Sequence, residues 1–282
     1  MREIRRLPEM YLFAQKAKSH GKKIGLVPTM GALHEGHLSL VAEAKKRAEV
    51  VVVSIFINPI QFGPGEDFTH YPRGLKKDKK LLKNFEVDVL FLPEASAMFP
   101  KGFKTYVEVE GLSKKMCGRS RPAHFRGVAT VVAKLLNTAC PDLVFFGQKD
   151  YQQQVIIKQM IRDLDFPTEM VALPTVREFD GLAMSSRNAY LSPRERKSAV
   201  ILYKALSLAK KEVEKGEKDL KKIVFRMRSL IGTEPKARLD YLVAADPENL
   251  NEVSRLKGRI LFALAAYVGK ARLIDNMVIS AD

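Results

Sequence analysis

The chain has 282 residues, enough for one large domain or two, and its 46% hydrophobic and 28% charged residues are ordinary for a globular protein. The start, MREIRRLPEM, lacks the apolar core of a signal peptide, and the longest apolar run, residues 260–268, is too short to span a bilayer. The two cysteines, Cys117 and Cys140, form no disulfide framework or metal motif. We therefore expect a cytoplasmic protein with no membrane partner.

The net charge of +16, from 48 Lys and Arg against 32 Asp and Glu, would suit a nucleic-acid-binding protein. Much of the excess, however, lies in runs such as residues 76–80 and 210–222, where it alternates with acids or leucines as on a solvated helix face. The sequence contains no RNA-binding, zinc-finger or basic-zipper signature. We expect no nucleic-acid partner, and basic residues around an anionic small-molecule site are the alternative explanation.

Strands and helices are predicted to alternate along the first 176 residues. Residues 50–57 (VVVVSIFI) are typical of a strand buried on both faces of a parallel sheet. The predicted elements, in chain order, are helix 7–19, strand 24–27, a helix from residue 36, strand 50–57, helix 76–85, strand 87–92, strand 106–109, helix 128–139, strand 143–146, helix 151–164 and strand 170–173. Short links between them predict an α/β fold, a Rossmann-like doubly wound parallel sheet, for residues 1–176.

The pattern changes after Val176. Residues 177–191 look irregular, and Ser192, Pro193 and Glu195 then form a capping box with a proline at the first helical position, which opens a long helix. A second helix at 218–231 and strands at 239–244, 260–267 and 272–278 follow. They predict a smaller α+β domain, residues 177–282, which we expect to act as a lid over bound nucleotide.

One stretch, residues 22–47, combines a short strand, a glycine-containing turn and a helix that begins near His34 and His37. Ligands bind at the carboxyl ends of strands in such sheets, and the N–H groups of a helix start suit phosphate. The H-x-G-H pattern needs glycine at Gly36, because a side chain there would crowd whatever packs against the backbone. Two surface histidines, or a zinc site, are alternatives. HEGH is not HExxH and has no third ligand nearby, so no protein metal site is predicted.

Three further loops carry polar side chains that could donate hydrogen bonds to phosphate groups and to a substrate. They are Asn58 and Gln61 after the second strand, residues 147–150 with Gln153 in the following helix, and residues 184–187 (MSSR). Three of the four loops follow predicted strands and would meet at one edge of the sheet. Neither a Walker A motif nor G-x-G-x-x-G occurs, which disfavours a P-loop or an ordinary dinucleotide site.

Several of these residues also have simpler explanations. Asn58 could cap the turn before Pro59, and Gln153 could be an exposed amide in a polar run. In the basic loop 118–127, Arg121 and His124 either help to close the site or carry solvated charge. Asp78 and Asp88 have no predicted role and are expected at the surface.

Five stretches, taken in order, resemble one family over essentially the whole chain: VPTMGALHEGHLSL, SIFINPIQFGPGEDFTHYPR, RPAHFRGVATVV, FFGQKDYQQ and VREFDGLAMSSRNAYLS. The sequence is similar to the pantoate–β-alanine ligase (pantothenate synthetase) family, within the HIGH-motif nucleotidyltransferases. The resemblance implies that pantoate attacks ATP to give pantoyl adenylate and pyrophosphate, and that β-alanine then displaces AMP. It also implies Mg2+ with ATP, and a homodimer.

The resemblance assigns roles to individual residues. His37 would be the catalytic proton donor, with His34, Lys149, Ser185, Ser186 and Arg187 as further catalytic groups. Pantoate and β-alanine would contact Asn58, Gln61 and Gln153. The implied ATP contacts are Met30, Gly31, Ala32, Leu33, His34, Glu35, Gly36, His37, Gly147, Gln148, Lys149, Asp150, Val176, Met184, Ser185, Ser186 and Arg187.

Two other hypotheses compete with the ligase. A HIGH-motif enzyme could stop after adenylyl transfer to a phosphate acceptor, but such enzymes are usually shorter and lack the region after Val176. A nucleic-acid-binding module would explain the charge of +16. It would leave the four polar loops unexplained.

Overall fold

The computed structural model describes residues 1–281, and the described chain divides into two compact units. The first unit comprises Met1–Ser113, Arg121–Gln148 and Gln153–Pro174, and the second comprises Lys114–Ser120, Lys149–Gln152 and the chain from Thr175 onward. The described chain thus passes between units after residues 113, 120, 148, 152 and 174. The sequence predicted one boundary near residue 176, and the lid role given to the second domain stays a prediction.

A parallel sheet forms the centre of the first unit and confirms the predicted α/β class. Within residues 1–281 it has six strands, in the order β1-β4-β3-β2-β5-β6, and every neighbouring pair is parallel. The strands are β1 (Arg2–Ile4), β2 (Ile24–Thr29), β3 (Val50–Ile55), β4 (Val89–Phe91), β5 (Leu143–Gly147) and β6 (Glu169–Leu173).

Helices cover both faces of this sheet, as the continuous apolar strands require. Along β3, Val51 and Val53 pack in one cluster with Leu40, Val41 and Leu82 from the helices α2 and α3. Helices α1 and α6 contact each other and β2. The helices up to residue 163 are α1 (Leu7–Ser19), α2 (Glu35–Arg47), α3 (Leu75–Asn84), α4 (Ala95–Met98), α5 (Cys117–Ser120), α6 (His124–Ala139) and α7 (Tyr151–Asp163). Of these, α5 and the first two residues of α7 belong to the second unit.

The strand order reverses at β2, which has β3 on one side and β5 on the other. The loops that leave the carboxyl ends of β2 and β5 therefore diverge to opposite sides of the sheet and open a crevice between them. The histidine-bearing turn follows β2, and β5 ends at Gly147 and is followed by Gln148. The fold thus places these two loops where ligands of open α/β sheets bind.

The second unit is built on an antiparallel sheet, which within the described residues has the three strands β7-β8-β9. These strands and three helices share one apolar core that includes Leu206, Met227 and Phe262. The predicted Ser192–Glu195 capping box is present at the first helix. The elements are α8 (Pro193–Ala199), α9 (Ile201–Glu214), α10 (Leu220–Gly232), β7 (Ala237–Ala245), β8 (Gly258–Val268) and β9 (Ala271–Ala281).

Two expectations about elements were wrong, and one strand was not predicted. Residues 106–109 belong to no strand, and the Val107 N–H donates instead to Thr130 Oγ1 at 3.0 Å. The short strand β1 was not predicted. The single long helix expected after Ser192 is two consecutive helices that meet at Val200. None of the helices described in residues 1–281 is long and apolar enough to cross a bilayer.

Candidate active site

The turn after β2 is held in an unusual backbone conformation. Gly31 and Ala32 both have positive φ, +83° and +50°. A side chain on Gly31 would place its Cβ 3.0 Å from Ile55 Cγ2 and 3.2 Å from Asp78 Oδ2. Glycine is therefore favoured here by its conformation, and a side chain would also require Ile55 or Asp78 to shift by a few tenths of an ångström. Thr29 Oγ1 accepts from the Gly31 N–H at 3.2 Å and donates to the Ser54 carbonyl at 2.8 Å, which joins the turn to β3.

Asp78 fixes the other side of this turn, and its expected surface position was wrong. It is 1% exposed, and its carboxylate accepts from the N–H of Ala32 at 3.0 Å and of Leu33 at 2.9 Å. A signal was present in the sequence: Asp78 and Leu82, four residues apart, share the buried face of the lysine-rich α3. Asp88 is partly exposed as expected, and it also accepts from the Val51 N–H at 2.8 Å.

The two histidines cap α2 reciprocally. His34 is the N-cap, and its Nδ1 accepts from the Gly36 N–H at 3.1 Å, while His37 Nδ1 accepts from the His34 N–H at 3.4 Å. The rings lie 4.1 Å apart between centroids. A nitrogen that accepts carries no proton, so a neutral ring in this geometry carries its hydrogen on Nε2. Each ring can thus present an Nε2–H donor at the start of α2, as anion binding requires.

Asn58 and Gln61 form a buried pair of amides beside this turn. Asn58 is 1% exposed, and its Nδ2 donates to Gln61 Oε1 at 3.0 Å and to the Gly127 carbonyl at 3.1 Å. Gln61 Nε2 lies 3.1 Å from Met30 Sδ, in the histidine-bearing turn. Asn58 makes no side-chain cap of the following turn, so that simpler explanation was wrong. Its Oδ1 is buried and has no hydrogen-bond partner among the described residues. A donor group on a bound ligand could supply that partner.

Arg121 and His124 support this pair through the backbone of Gln61. The Gln61 carbonyl lies 3.3 Å from Arg121 Nη2 and 2.9 Å from His124 Nδ1. Arg121 also makes a two-atom ion pair with Glu66, at 2.6 and 2.5 Å. Burial raises the pKa of Glu66, but the hydrogen bonds and charge of Arg121 outweigh this effect and hold the pKa below its usual value. Solvated charge was therefore the wrong explanation for Arg121.

Gly127 allows α6 to approach the Asn58–Gln61 turn. A Cβ at Gly127 would lie 2.4 Å from the Ile60 carbonyl oxygen, a distance that no real side chain tolerates. The sequence analysis placed Gly127 at the end of the basic loop, just before the predicted helix 128–139, whereas α6 begins at His124 and includes this glycine. We did not assign it a role from the sequence.

The polar run at the start of α7 is not solvent-exposed. Gln152 is buried, while Gln153 and Gln154 are partly buried, which disagrees with the explanation of Gln153 as an exposed amide. Gln152 belongs to the second unit, where its side chain donates to the Lys115 carbonyl at 2.7 Å and accepts from the Cys117 N–H at 3.0 Å. Gln153 belongs to the first unit, as do Gly147 and Gln148.

In the second unit, the segment 176–187 is an ordered hairpin and turn rather than an irregular loop. The Met184 N–H donates to the Val176 carbonyl at 3.0 Å, and the backbones of Arg177 and Ala183 form an isolated antiparallel β-bridge. Ser185 then caps a short 3-10 helix, Ser186–Tyr190, by accepting from the Arg187 N–H at 3.3 Å. Lys149 and Asp150 belong to this unit as well, with Lys149 Nζ 3.8 Å from Asp150 Oδ2.

The structure therefore brings the predicted residues together as two sets. The first unit holds residues 30–37, Asn58, Gln61, Gly147–Gln148 and Gln153, and the second holds Lys149–Asp150, Val176 and residues 184–187. Within residues 1–281, no group of three or more His, Cys, Asp or Glu side chains is arranged to bind a metal ion. The predicted contacts of these residues with ATP, pantoate and β-alanine stay predictions.

The parallel sheet, its reversal at β2 and the histidine-capped turn there define a Rossmann-like nucleotide-binding protein. A family model described as Pantoate-beta-alanine ligase matches residues 2–278. The chain belongs to this family. Its members are carbon–nitrogen ligases that use ATP to condense pantoate with β-alanine in pantothenate biosynthesis.

The similarity to known proteins extends along almost the whole chain. Pantothenate synthetase from Caldicellulosiruptor bescii is 51% identical over 278 residues and covers 99% of both chains. The crystal structure of pantothenate synthetase from Thermus thermophilus matches with a TM-score of 0.94 at 44% identity, covering 98% of this chain and 99% of that one. The Francisella tularensis pantoate–β-alanine ligase, complexed with β-γ ATP and β-alanine, matches with a TM-score of 0.82 at 35% identity, covering 99% and 97%.

Proposed function

We propose that this chain joins (R)-pantoate to β-alanine in two steps through pantoyl adenylate. In the first step a pantoate carboxylate oxygen bonds to the α-phosphorus of ATP, and the bond from that phosphorus to the bridging oxygen breaks, which releases pyrophosphate. In the second step the β-alanine nitrogen bonds to the acyl carbon and the carbon–oxygen bond to AMP breaks. The carboxylate is already ionised at neutral pH, so the first step needs in-line positioning and charge neutralisation rather than a base.

The observation that carries the proposal in this molecule is the buried amide pair beside the histidine-capped turn. Asn58 Oδ1 lacks a partner among the described residues and can accept from a hydroxyl of pantoate. Gln61 and Gln153 add neutral amides, which bind the carboxylate oxygens without repelling them. By resemblance, Gln61 also lies beside β-alanine, whose ammonium must lose a proton before it attacks.

The proposed ATP contacts come from both units. In the first unit, residues 30–37 and Gly147–Gln148 surround the crevice at the strand-order reversal, and the Nε2–H groups of His34 and His37 are donors for phosphate oxygens. His37 is the proposed proton donor. In the second unit, Lys149, Ser185, Ser186 and Arg187 supply cationic and hydroxyl donors, and Asp150, Val176 and Met184 complete the nucleotide contacts. Donors preorganised in this way stabilise charge that develops during phosphoryl transfer.

Mg2+ enters in this proposal as part of the substrate, bound to the phosphates of ATP. The proposal assigns the ion no ligand from the protein. We place the reaction in the cytoplasm, where ATP is available, with no nucleic-acid or membrane partner.

The active form is proposed to be a homodimer. Residues 104–109 lie outside the helices and strands of the described chain, and most of them are exposed. The Val107 N–H bonds to Thr130 Oγ1, and the exposed residues on either side of Val107 are the proposed contact with the second copy. Light scattering coupled to gel filtration tests the proposal, since a mass near twice 31.7 kDa is expected. A monomer at assay concentration would refute it.

Isotope exchange between ATP and labelled pyrophosphate, without β-alanine, tests the proposed chemistry. We expect exchange that requires pantoate, and AMP release once β-alanine is added. Folded protein without pantoate-dependent exchange would refute the two-step ligase, and phosphate acceptors would then be screened for adenylyl transfer. The lid role is tested by limited proteolysis of residues 177–191, which ATP and pantoate should slow.

A further inference from the structure

Two consecutive polar residues lie in the core of the second unit. Asp275 and Asn276, in β9, are 3% and 8% exposed. Strand β9 pairs with β8 without interruption from Ala271 to Ala281, so the backbone of both residues is fixed by the sheet. Buried polar side chains in such a strand destabilise the fold unless each one is bonded. Their partners show why they are there.

Asp275 anchors the start of the hairpin that leads to Ser185 and Arg187. Its oxygens accept from Arg177 Nη1 at 2.7 Å and Nη2 at 2.9 Å, and Arg177 also donates to the Gly181 carbonyl at 3.0 Å. The guanidinium lies over the ring of Tyr203, 4.6 Å from its centroid. Two parallel hydrogen bonds fix both the distance and the plane of the arginine. Arg177 directly follows Val176, a proposed ATP contact.

Asn276 anchors the other proposed nucleotide segment of this unit. Its Nδ2 donates to the backbone carbonyl of Lys149 at 2.9 Å, and its own N–H donates to Asp275 Oδ1 at 2.7 Å. The carbonyl of Asn276 in turn accepts from Arg177 Nη2 at 3.3 Å. Lys149 and Arg177 are 28 positions apart in the sequence, yet they bond to neighbouring residues of a single strand.

We infer that Arg177, Asp275 and Asn276 are positioning residues that set the spacing between Lys149 and the hairpin that leads to Arg187. The inference rests on the proposed function, because it assumes that these segments bind ATP. Strand β9 then acts as the reference from which both cationic groups are placed. A shift of about 1 Å at such groups lowers a rate by about 100-fold.

A second ion pair on the same strand provides a matched control. Arg272 donates from Nε at 3.0 Å and from Nη2 at 2.6 Å to Asp240 Oδ2, so this pair also has two hydrogen bonds, although both use a single carboxylate oxygen. Both pairs are largely buried, yet none of the bonds described for Arg272 and Asp240 reaches a proposed nucleotide residue. Loss of the control pair should therefore lower stability without moving Lys149.

The experiment compares Asn276→Ala, Arg177→Lys and Arg272→Gln with the wild type in pantoate-dependent exchange. We expect the first two to raise the KM for ATP by about 10- to 100-fold, with the KM for pantoate unchanged because the proposed pantoate residues belong to the first unit. Arg272→Gln should lower the melting temperature and leave both KM values within about twofold of wild type. Arg177→Lys keeps the charge and serves if Asn276→Ala does not fold.

The outcomes separate the inference from the proposed function. An unchanged KM for ATP in folded Asn276→Ala and Arg177→Lys, or an equal rise in Arg272→Gln, would overturn the positioning role while wild-type exchange upheld the ligase. If the wild type binds ATP without exchange, the ligase mechanism fails and equilibrium dialysis with ATP decides instead. Weaker ATP binding by Asn276→Ala than by Arg272→Gln would then support positioning, and equal binding would refute it.

Discussion

Replacing Asp78 by alanine removes the acceptor of two backbone N–H groups at the turn that precedes His34. The bonds to Ala32 and Leu33 are 3.0 and 2.9 Å long, and the carboxylate is almost fully buried. We therefore expect both lower stability and misplaced histidines.

The magnitude follows from the burial of each donor. An unsatisfied buried N–H destabilises by about 1–3 kcal/mol, and the Ala32 N–H, which is only partly buried, contributes at the lower end. The sum is about 2–4 kcal/mol, a large part of the roughly 5–15 kcal/mol that stabilises a typical domain. Asp78→Asn keeps one acceptor oxygen and should lose about half as much. Displacement of the turn should lower pantoate-dependent exchange by about 10- to 100-fold.

Urea unfolding and the exchange assay measure these two effects on the same samples. Asp88→Asn is the matched control, since Asp88 also accepts from one backbone N–H, of Val51, but lies away from the turn. We expect it to lose no more than about 1 kcal/mol and to keep wild-type exchange. The reasoning is wrong if the free energy of unfolding of Asp78→Ala lies within about 0.5 kcal/mol of the wild-type value and its pantoate-dependent exchange rate is unchanged.

Three further predictions concern the site and its support. Gly127→Ala should push α6 from the Ile60 carbonyl, raise the KM for pantoate and lower the melting temperature, as steady-state kinetics and calorimetry will show. Glu66→Gln should lose stability mainly above pH 4.5: the folded pKa of Glu66 is depressed by Arg121, so its stabilising effect is present above the unfolded value and fades as pH falls through the folded one. Urea unfolding across pH measures this gap. Lys149→Met should lower the exchange rate by about 100-fold while leaving the melting temperature unchanged.

Each of these predictions has a contrary result. A Gly127→Ala variant with wild-type KM for pantoate would show that α6 does not fix the Asn58–Gln61 turn. A stability difference for Glu66→Gln that does not narrow below pH 4.5 would contradict the role of the ion pair. Wild-type exchange in Lys149→Met would exclude Lys149 from phosphate binding. The control is Lys158→Met, which removes an exposed lysine of α7 and should leave exchange unchanged.

Local signals were sufficient for most elements. Helix α1 was predicted with the observed bounds, and the capping box at Ser192 is present as predicted, because both depend on side chains within a few positions. The valines of β3 identified a strand covered on both faces. Within α8 and α9, by contrast, the residues around Val200 carry no sign of the break.

Non-local partners explain the elements that were wrong. Strand β1 has three residues, and its pairing with β4 cannot be deduced from Arg2–Ile4 itself. Residues 106–109 alternate like a strand, but alternation gives no sheet without a neighbour to bond. Asp78 was misplaced for a similar reason, since its two donors lie 46 and 45 positions earlier in the chain.

The candidate site, too, has features that the sequence predicted and features that depend on non-local contacts. Motifs located the four loops, and the resemblance gave their residues roles. The reciprocal capping of His34 and His37 and the unpartnered Oδ1 of Asn58 depend on exact distances that no motif contains. The support from Asp275 and Asn276 lies 98 and 127 residues beyond the segments that it holds, in a strand with no motif of its own.

The repeated passage of the chain between its units constrains how the protein can form on the ribosome. Residues 114–120 belong to the second unit, where Ser120 bonds to Asp240 and Arg119 pairs with Glu252. Those partners are translated more than about 100 residues later, a delay on the order of 10 s at ordinary elongation rates. If the first unit folds during translation, it does so while this segment still lacks its partners, and no single proteolytic or genetic cut releases either unit whole. A nascent chain that is arrested near residue 200 should expose this segment to proteases and chaperones.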